Sequence, residues 1–163
     1  MQQQKKSVKN WGCHAFVLTD QLRCTARDAG QFLADIADYH RGSDAPMAFI
    51  AGGETVVHLT GKGMGGRNQE LALAAAEGIS GMNACVFSLG SDGTDGPTDV
   101  AGGYVDGKNW GALRSQGIVV SDVLEDNDTY HALQECDGLT MTGPTGTNVN
   151  ELSVLLIGGK NKE

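Results

Sequence analysis

Ten residues, Gly90 to Asp99 (GSDGTDGPTD), carry three aspartates among three glycines and one proline. Carboxylates at that density repel one another, so a metal, a bound cationic group or a nearby arginine is expected to offset them. The acids Asp92, Asp95 and Asp99 are spaced by three and then four residues. An EF-hand alternates its acids and ends on a glutamate near its twelfth position, so calcium of that kind is not expected. Magnesium needs only one or two carboxylates, with phosphate and water completing its shell, and Asp92 and Asp95 are the candidates for it. Either could instead accept a proton from a substrate hydroxyl. The plainer alternative is a solvated turn, because Asp-Gly pairs are common turn formers.

A second stretch, Gly61 to Gln69 (GKGMGGRNQ), fits G-x-G-x-x-G before a predicted helix. A dinucleotide fingerprint expects an acid about 20 residues on, and Val86 and Phe87 stand there instead. A nicotinamide site is therefore the lesser reading. What survives is simpler: a helix N-terminus offers free amides to an anion. Gly65, Gly66 and Asn68 would contribute there, and Arg67 adds a planar fork for carboxylate or phosphate. The alternative is that Gly65 and Gly66 only permit close packing and Arg67 lies on the surface. A third stretch, Gly143 to Glu151 (GPTGTNVNE), offers Thr145 and Thr147 hydroxyls, the Gly146 backbone, and the Asn148 and Asn150 amides. These suit an oxyanion or sugar-like hydroxyls, and Thr94 adds another hydroxyl in the aspartate loop; a self-braced connector is the alternative. Glu54, in AGGET, reads as a solvated turn acid, with ligation of some group as the lesser alternative. His14, His40, His58 and His131 share no ligand spacing, and no G-x-S-x-G elbow occurs.

Elements of alternating type must position these loops. Strands are expected at His14–Asp20, Met47–Ala51, Thr55–Thr60, Ala84–Gly90, Leu139–Gly143 and Leu152–Gly158, from short apolar and β-branched runs. Thr25 with Asp28 marks a helix start, and Arg41-Gly42 its end. Further helices are expected at Glu70–Ile79, Asn109–Gln116 and Ser121–Cys136, the last broken near Asp126. Strands alternating with helices imply an α/β layered domain. Hairpin-like spacings imply a mixed six-stranded sheet flanked by helices. Each polar loop sits beside a strand end, where open α/β sheets bind ligands.

The chain of 163 residues suits one domain over residues 11–163, after a polar start at 1–10 that reads as flexible or as an expression remnant. Its 24 glycines exceed the usual ~7% and gather at segment ends, as tight turns would. A net charge of −8 argues against nucleic acid and anionic membrane surfaces as partners. Cys13, Cys24, Cys85 and Cys136 form no C-x-x-C pair, and a cytoplasmic chain with reduced thiols is expected.

Five blocks together, AGGET, GMGGRNQELALA, SLGSDGTDGPTDVAGGYVDG, DNDTYHAL and TGPTGTNVNEL, resemble the MOFRL domain. That is the C-terminal part of glycerate 2-kinases, a family also named hydroxypyruvate reductase. The similarity runs from about His14 to Gly158. It implies a mixed six-stranded sheet and a two-domain enzyme that passes the terminal phosphate of ATP, with magnesium, to the 2-hydroxyl of D-glycerate. It also implies a functional arginine at Arg67 and a functional aspartate at Asp92 or Asp95, without choosing between them. Such kinases carry a larger N-terminal domain that supplies a lysine and most of the other cleft wall. The chain is thus expected to contribute half a cleft and to be inactive alone, with that domain as partner in cis or in trans. A stand-alone anion-binding module is the alternative, and a nicotinamide-dependent reductase component is a more distant one.

Overall fold

A computed structural model of the chain describes residues 12–147 and 150–160. The polar start at 1–10 and Asn148 lie outside the described residues. Within them the elements run β1 (His14–Leu22), α1 (Ala26–Tyr39), β2 (Met47–Gly53), α2 (Arg67–Ala75), β3 (Ala84–Gly90) and β4 (Gly102–Asp106). Then follow α3 (Asn109–Ser115), α4 (Val120–Asp126), α5 (Thr129–Gln134), β5 (Leu139–Thr140) and β6 (Glu151–Ile157). The six strands form one mixed sheet in the order β1-β2-β6-β3-β4-β5. β1 and β2 are parallel, as their connection through α1 requires, and the other pairs are antiparallel.

Side-chain alternation sends Val86, Val105, Leu155 and Ile157 into a core shared with every helix. Helix α2 lies at its centre: Asn68 to Leu73 are all buried. Helix α1 crosses it so closely that a Cβ at Gly30 would overlap the Leu71 carbonyl. The spacing of Ala26, Ala29, Leu33 and Ala37 gives α1 one small apolar face for that approach. Its start is capped as expected, the Thr25 hydroxyl accepting the Asp28 N–H at 3.1 Å. The break expected near Asp126 falls at Asn127, which adopts a left-handed conformation (φ 57°) between α4 and α5.

The count of six strands holds with a different membership. Thr55–Thr60 is not a strand. Its backbone is tied instead to the start of α1, Val56 N–H donating to the Cys24 carbonyl (3.2 Å) and Ala26 N–H to that of Val56 (2.8 Å). The further strand is β4, whose GGYVD sequence carries little strand signal. Neither glycine has room for a Cβ: at Gly102 it would overlap the Ser88 carbonyl of β3, and at Gly103 it would press on Ala72 of α2 and Leu133 of α5. Helix α2 also begins at Arg67, three residues before the expected Glu70. Among the described residues no helix is long and apolar enough to cross a membrane.

The α1 cap gives a direct check on these local assignments. Thr25→Ala should lower unfolding free energy by about 1 kcal/mol, read from the urea midpoint at unchanged slope. No loss would mean that packing on α2 alone sets the start of α1.

Candidate active-site cleft

Three central strands bring the polar loops together. In register, Glu151 of β6 lies opposite Gly53 of β2 on one side and Gly90 of β3 on the other. Because β6 runs antiparallel, it starts where β2 and β3 end. The chain after β2, the chain after β3 and the chain before β6 therefore meet at one end of the sheet. A cleft of about 890 Å³ opens there, lined by Glu54, Gly66, Arg67, Asp92, Asp95 and Glu151, with Val56, Val57 and Leu59 as an apolar wall.

The N-terminus of α2 already holds an anion, and it is Asp95. One Asp95 oxygen accepts the backbone N–H (3.1 Å) and side-chain amide (3.0 Å) of Asn68. The other accepts the backbone N–H (2.9 Å) and side-chain amide (3.0 Å) of Gln69. Asp95 is 2% exposed. Burial pushes its carboxyl above the usual range, and the Gln69 and Asn68 donors oppose that rise. The cap explains Gly66, where a Cβ would overlap the Asp95 carboxyl group. Asn68, expected to serve an external anion at this helix start, and Gln69 beside it are thus given to the protein's own carboxylate. The Asn68 side-chain oxygen in turn accepts the Ser88 hydroxyl at 2.6 Å, and Ser88 meets Ser153 at 2.8 Å.

The glycine-rich loop is committed in the same way. The Gly61 N–H donates to the Asn127 side chain (3.0 Å), Lys62 N–H to the Asp126 carboxylate (3.1 Å) and Met64 N–H to Asp128 (2.9 Å). A Cβ at Gly61, Gly63 or Gly65 would collide with residues 126–129. Close packing, the alternative weighed for Gly65, is what the geometry displays for all three. The Gly61, Lys62, Gly63 and Met64 amides are thereby occupied by the α4–α5 junction instead of being left open to a dinucleotide pyrophosphate.

Arg67 opens α2 and stands in the cleft, 40% exposed, between two carboxylates. Its Nε pairs with Glu151, and its Nη1 lies 3.1 Å from Glu54. Glu151 is buried, and its second oxygen accepts the Thr55 N–H (3.0 Å) and hydroxyl (3.2 Å). Burial raises its carboxyl, against the opposing Thr55 amide and Arg67. Sequence reasoning does not single out Glu151, because the strand is expected to start one residue later, at Leu152; β6 draws Glu151 in, and a charged residue buried there needs a partner. Glu54 is exposed, as a turn acid would be, and also pairs with Arg67.

The three aspartates go to three places. Asp95 is the buried cap. Asp99 is exposed and accepts the Tyr130 hydroxyl at 3.2 Å. Asp92 is half-buried on the cleft wall, its Oδ1 accepting the Thr94 N–H at 3.1 Å in an Asx turn. Thr94 and Asn150 also line the cleft. Thr145 and Thr147 are not lining residues; both hydroxyls donate to the Ser91 carbonyl, and the Thr145 N–H donates to that of Asp92 (3.2 Å). Gly146 makes the turn between them at φ 72°. This loop therefore braces Asp92. Among the described residues no three His, Cys, Asp or Glu side chains converge to hold a metal.

Comparison with known proteins follows the same blocks. Residues 47–151 match the MOFRL family. The chain is 50% identical over 160 residues to a D-glycerate 2-kinase of Thermotoga maritima, covering 94% of this chain and 38% of that protein. It is 42% identical over 160 residues to a glycerate 2-kinase of Pyrococcus horikoshii, covering 95% and 36%. A crystal structure of glycerate kinase from Thermotoga maritima superposes with a TM-score of 0.89 at 48% identity, over 94% of this chain and 38% of that one. The chain thus spans well under half the length of these relatives.

Two outcomes test the buried network. Gly66→Ala should cost roughly 2 kcal/mol or more in a urea melt, because the new Cβ displaces the Asp95 cap; a neutral result would mean that the cap is dispensable. Glu70, Asp95 and Glu151 all titrate above ordinary values of 4.5, 3.8 and 4.5. A raised carboxyl binds its proton more tightly when folded, so its protonation favours the fold. The contribution is complete below the ordinary values and is lost as pH rises through the raised ones. The thermal midpoint should therefore hold or rise as pH falls from about 7 to about 5. A steady fall over that interval would mean that the donors outweigh burial.

Proposed function

The chain belongs to the MOFRL family, and on that premise we propose that it forms one wall of the active-site cleft of a glycerate 2-kinase. The reaction is transfer of the terminal phosphoryl group of ATP to the 2-hydroxyl of D-glycerate. One observation carries this reading: Arg67 and Asp92 line a single cleft in a chain half identical to a D-glycerate 2-kinase.

Phosphoryl transfer depends chiefly on positioning and on offsetting charge in the transition state. Arg67 would grip the carboxylate of glycerate or the moving phosphoryl group, where its planar fork matches either. Asp92 would take one of two roles: it would orient the 2-hydroxyl and accept its proton as the new bond to phosphorus forms and the bond to ADP breaks, or it would hold magnesium. Asp95 and Asn68 would act through α2, by fixing the direction in which Arg67 leaves the helix. Thr94, Thr145, Gly146 and Thr147 would hold the aspartate loop in place around the substrate, and Gly65 and Gly66 would keep the loop before α2 close to it.

Magnesium fits one of the two acids considered for it. The four donors on Asp95 leave it unsuited to a metal, whereas Asp92 stands on the cleft wall, where among the described residues its carboxylate accepts the Thr94 N–H. When bound, the metal neutralises charge on the nucleotide phosphates. Need for added positive charge is built into this wall: with Asp95 capping α2 and Glu70 paired with Arg27, the lining still sets Glu54, Asp92 and Glu151 against the Arg67 guanidinium. The rest of the charge balance would come from magnesium and from a second domain, in cis or in trans, so the chain alone should turn over little or nothing.

In a full-length enzyme carrying this domain, Arg67→Ala and Asp92→Asn should each lower kcat/KM by roughly a hundredfold or more, as for lost electrostatic contacts. Steady-state phosphorylation of D-glycerate measures this, and near-normal rates in both variants would sink the assignment.

A further inference from the structure

The two carboxylates on Arg67 are unequal. Glu151 is 6% exposed in its side chain and is held from behind by the Thr55 N–H and hydroxyl. Removing it from Arg67 would strand buried charge. Glu54 is 68% exposed in its side chain, sits in the connection after β2, and meets the outer part of the same guanidinium at 3.1 Å. An ion pair this open to solvent is weak and screened by salt. It also stands where an incoming anion must approach, since Glu54 and Arg67 line the same cleft.

We propose that Glu54 is an exchangeable counter-ion: it holds the outer edge of Arg67 in the cleft, and an anionic group of the ligand replaces it there. This rests on the reading that the cleft receives an anionic substrate. Glu151 is the permanent partner that sets the guanidinium plane through Nε, and the outer nitrogens remain available for exchange. The swap has a consequence for selectivity. Only a group that pairs with a planar fork better than one glutamate does, a phosphate or a bidentate carboxylate, displaces Glu54. A simple monovalent anion gains too little to do so. Until displaced, the glutamate also adds its own negative charge to the cleft and opposes anion entry.

The test is binding, not turnover. The isotope-labelled chain and its Glu54→Gln variant are titrated with inorganic phosphate and with D-glycerate, and the Arg67 Nε–H resonance is followed by NMR. Glutamine keeps the size of the side chain and loses its charge. The expected result is a dissociation constant about two- to fivefold lower in Glu54→Gln for both anions, the range that exposed ion pairs carry, with an unchanged urea midpoint. Equal or weaker binding in the variant overturns the proposal and leaves the anion-binding reading standing. No response of Arg67 in either chain overturns both. In Arg67→Ala the anion-induced shifts of the Asp92 and Thr94 backbone amides, which line the same cleft, should disappear; their persistence would place the anion away from Arg67 and overturn the proposal.

Discussion

One buried carboxylate organises the functional end of this domain. Asp95 fills the N-terminus of α2 with four hydrogen bonds, two to backbone N–H groups and two to side-chain amides. The position is favourable for an anion because the first helical N–H groups have no partner within the helix and the helix dipole is positive there. The cost is desolvation of the charge, seen in the raised carboxyl. Asn68 and Gln69 offset it by offering amides from the helix itself. One contact thus joins the loop after β3 to the helix after β2, and Gly66 leaves room for it.

From this cap the direction of Arg67 follows. The residue precedes Asn68 at the start of α2, so a fixed first turn fixes where its side chain emerges. Glu151 completes the arrangement from the sheet, because β6 begins on it between the ends of β2 and β3. A long, flexible cation is thereby held at a defined place by one helix and one strand. Such preorganisation is what electrostatic catalysis demands, since groups that must reorganise during reaction stabilise the transition state less. The bracing of Asp92 through Ser91 and Thr145 has the same character on the opposite loop.

The glycines divide by mechanism. Gly61, Gly63 and Gly65 let the backbone lie against residues 126–129, and their loop amides are satisfied by Asn127, Asp126 and Asp128. The match to a phosphate-cradling fingerprint was formal. A cradle needs amides left open to a ligand, and here side chains from the α4–α5 junction take them. The same shape of motif can therefore serve adhesion between two loops.

Much was legible in the chain alone. Local signals placed β1, α1 with its Thr25 cap, β2, β3, β6 and the break near Asn127, because hydrophobic period and capping chemistry act over a few residues. Glycine and polar composition marked the three loops, with Arg67 in one and Asp92 or Asp95 in another, left undecided. Other features required the fold. Thr55–Thr60 has strand composition, yet its hydrogen bonds go to the start of α1 and to Asn127. GGYVD lacks strand composition and is a strand, because the close approach of β3 at Gly102 and of α2 and α5 at Gly103 excludes larger side chains there. Asp92, Asp95 and Asp99 read alike as acids in one loop, and only tertiary contacts divide them into a cleft residue, a helix cap and a surface acid. Burial and partnership are relations between residues distant in the chain: Asp95 with Asn68, and Glu151 with Arg67 and Thr55. The order of residues states which groups are present; the antiparallel placement of β6 between β2 and β3 decides which of them meet.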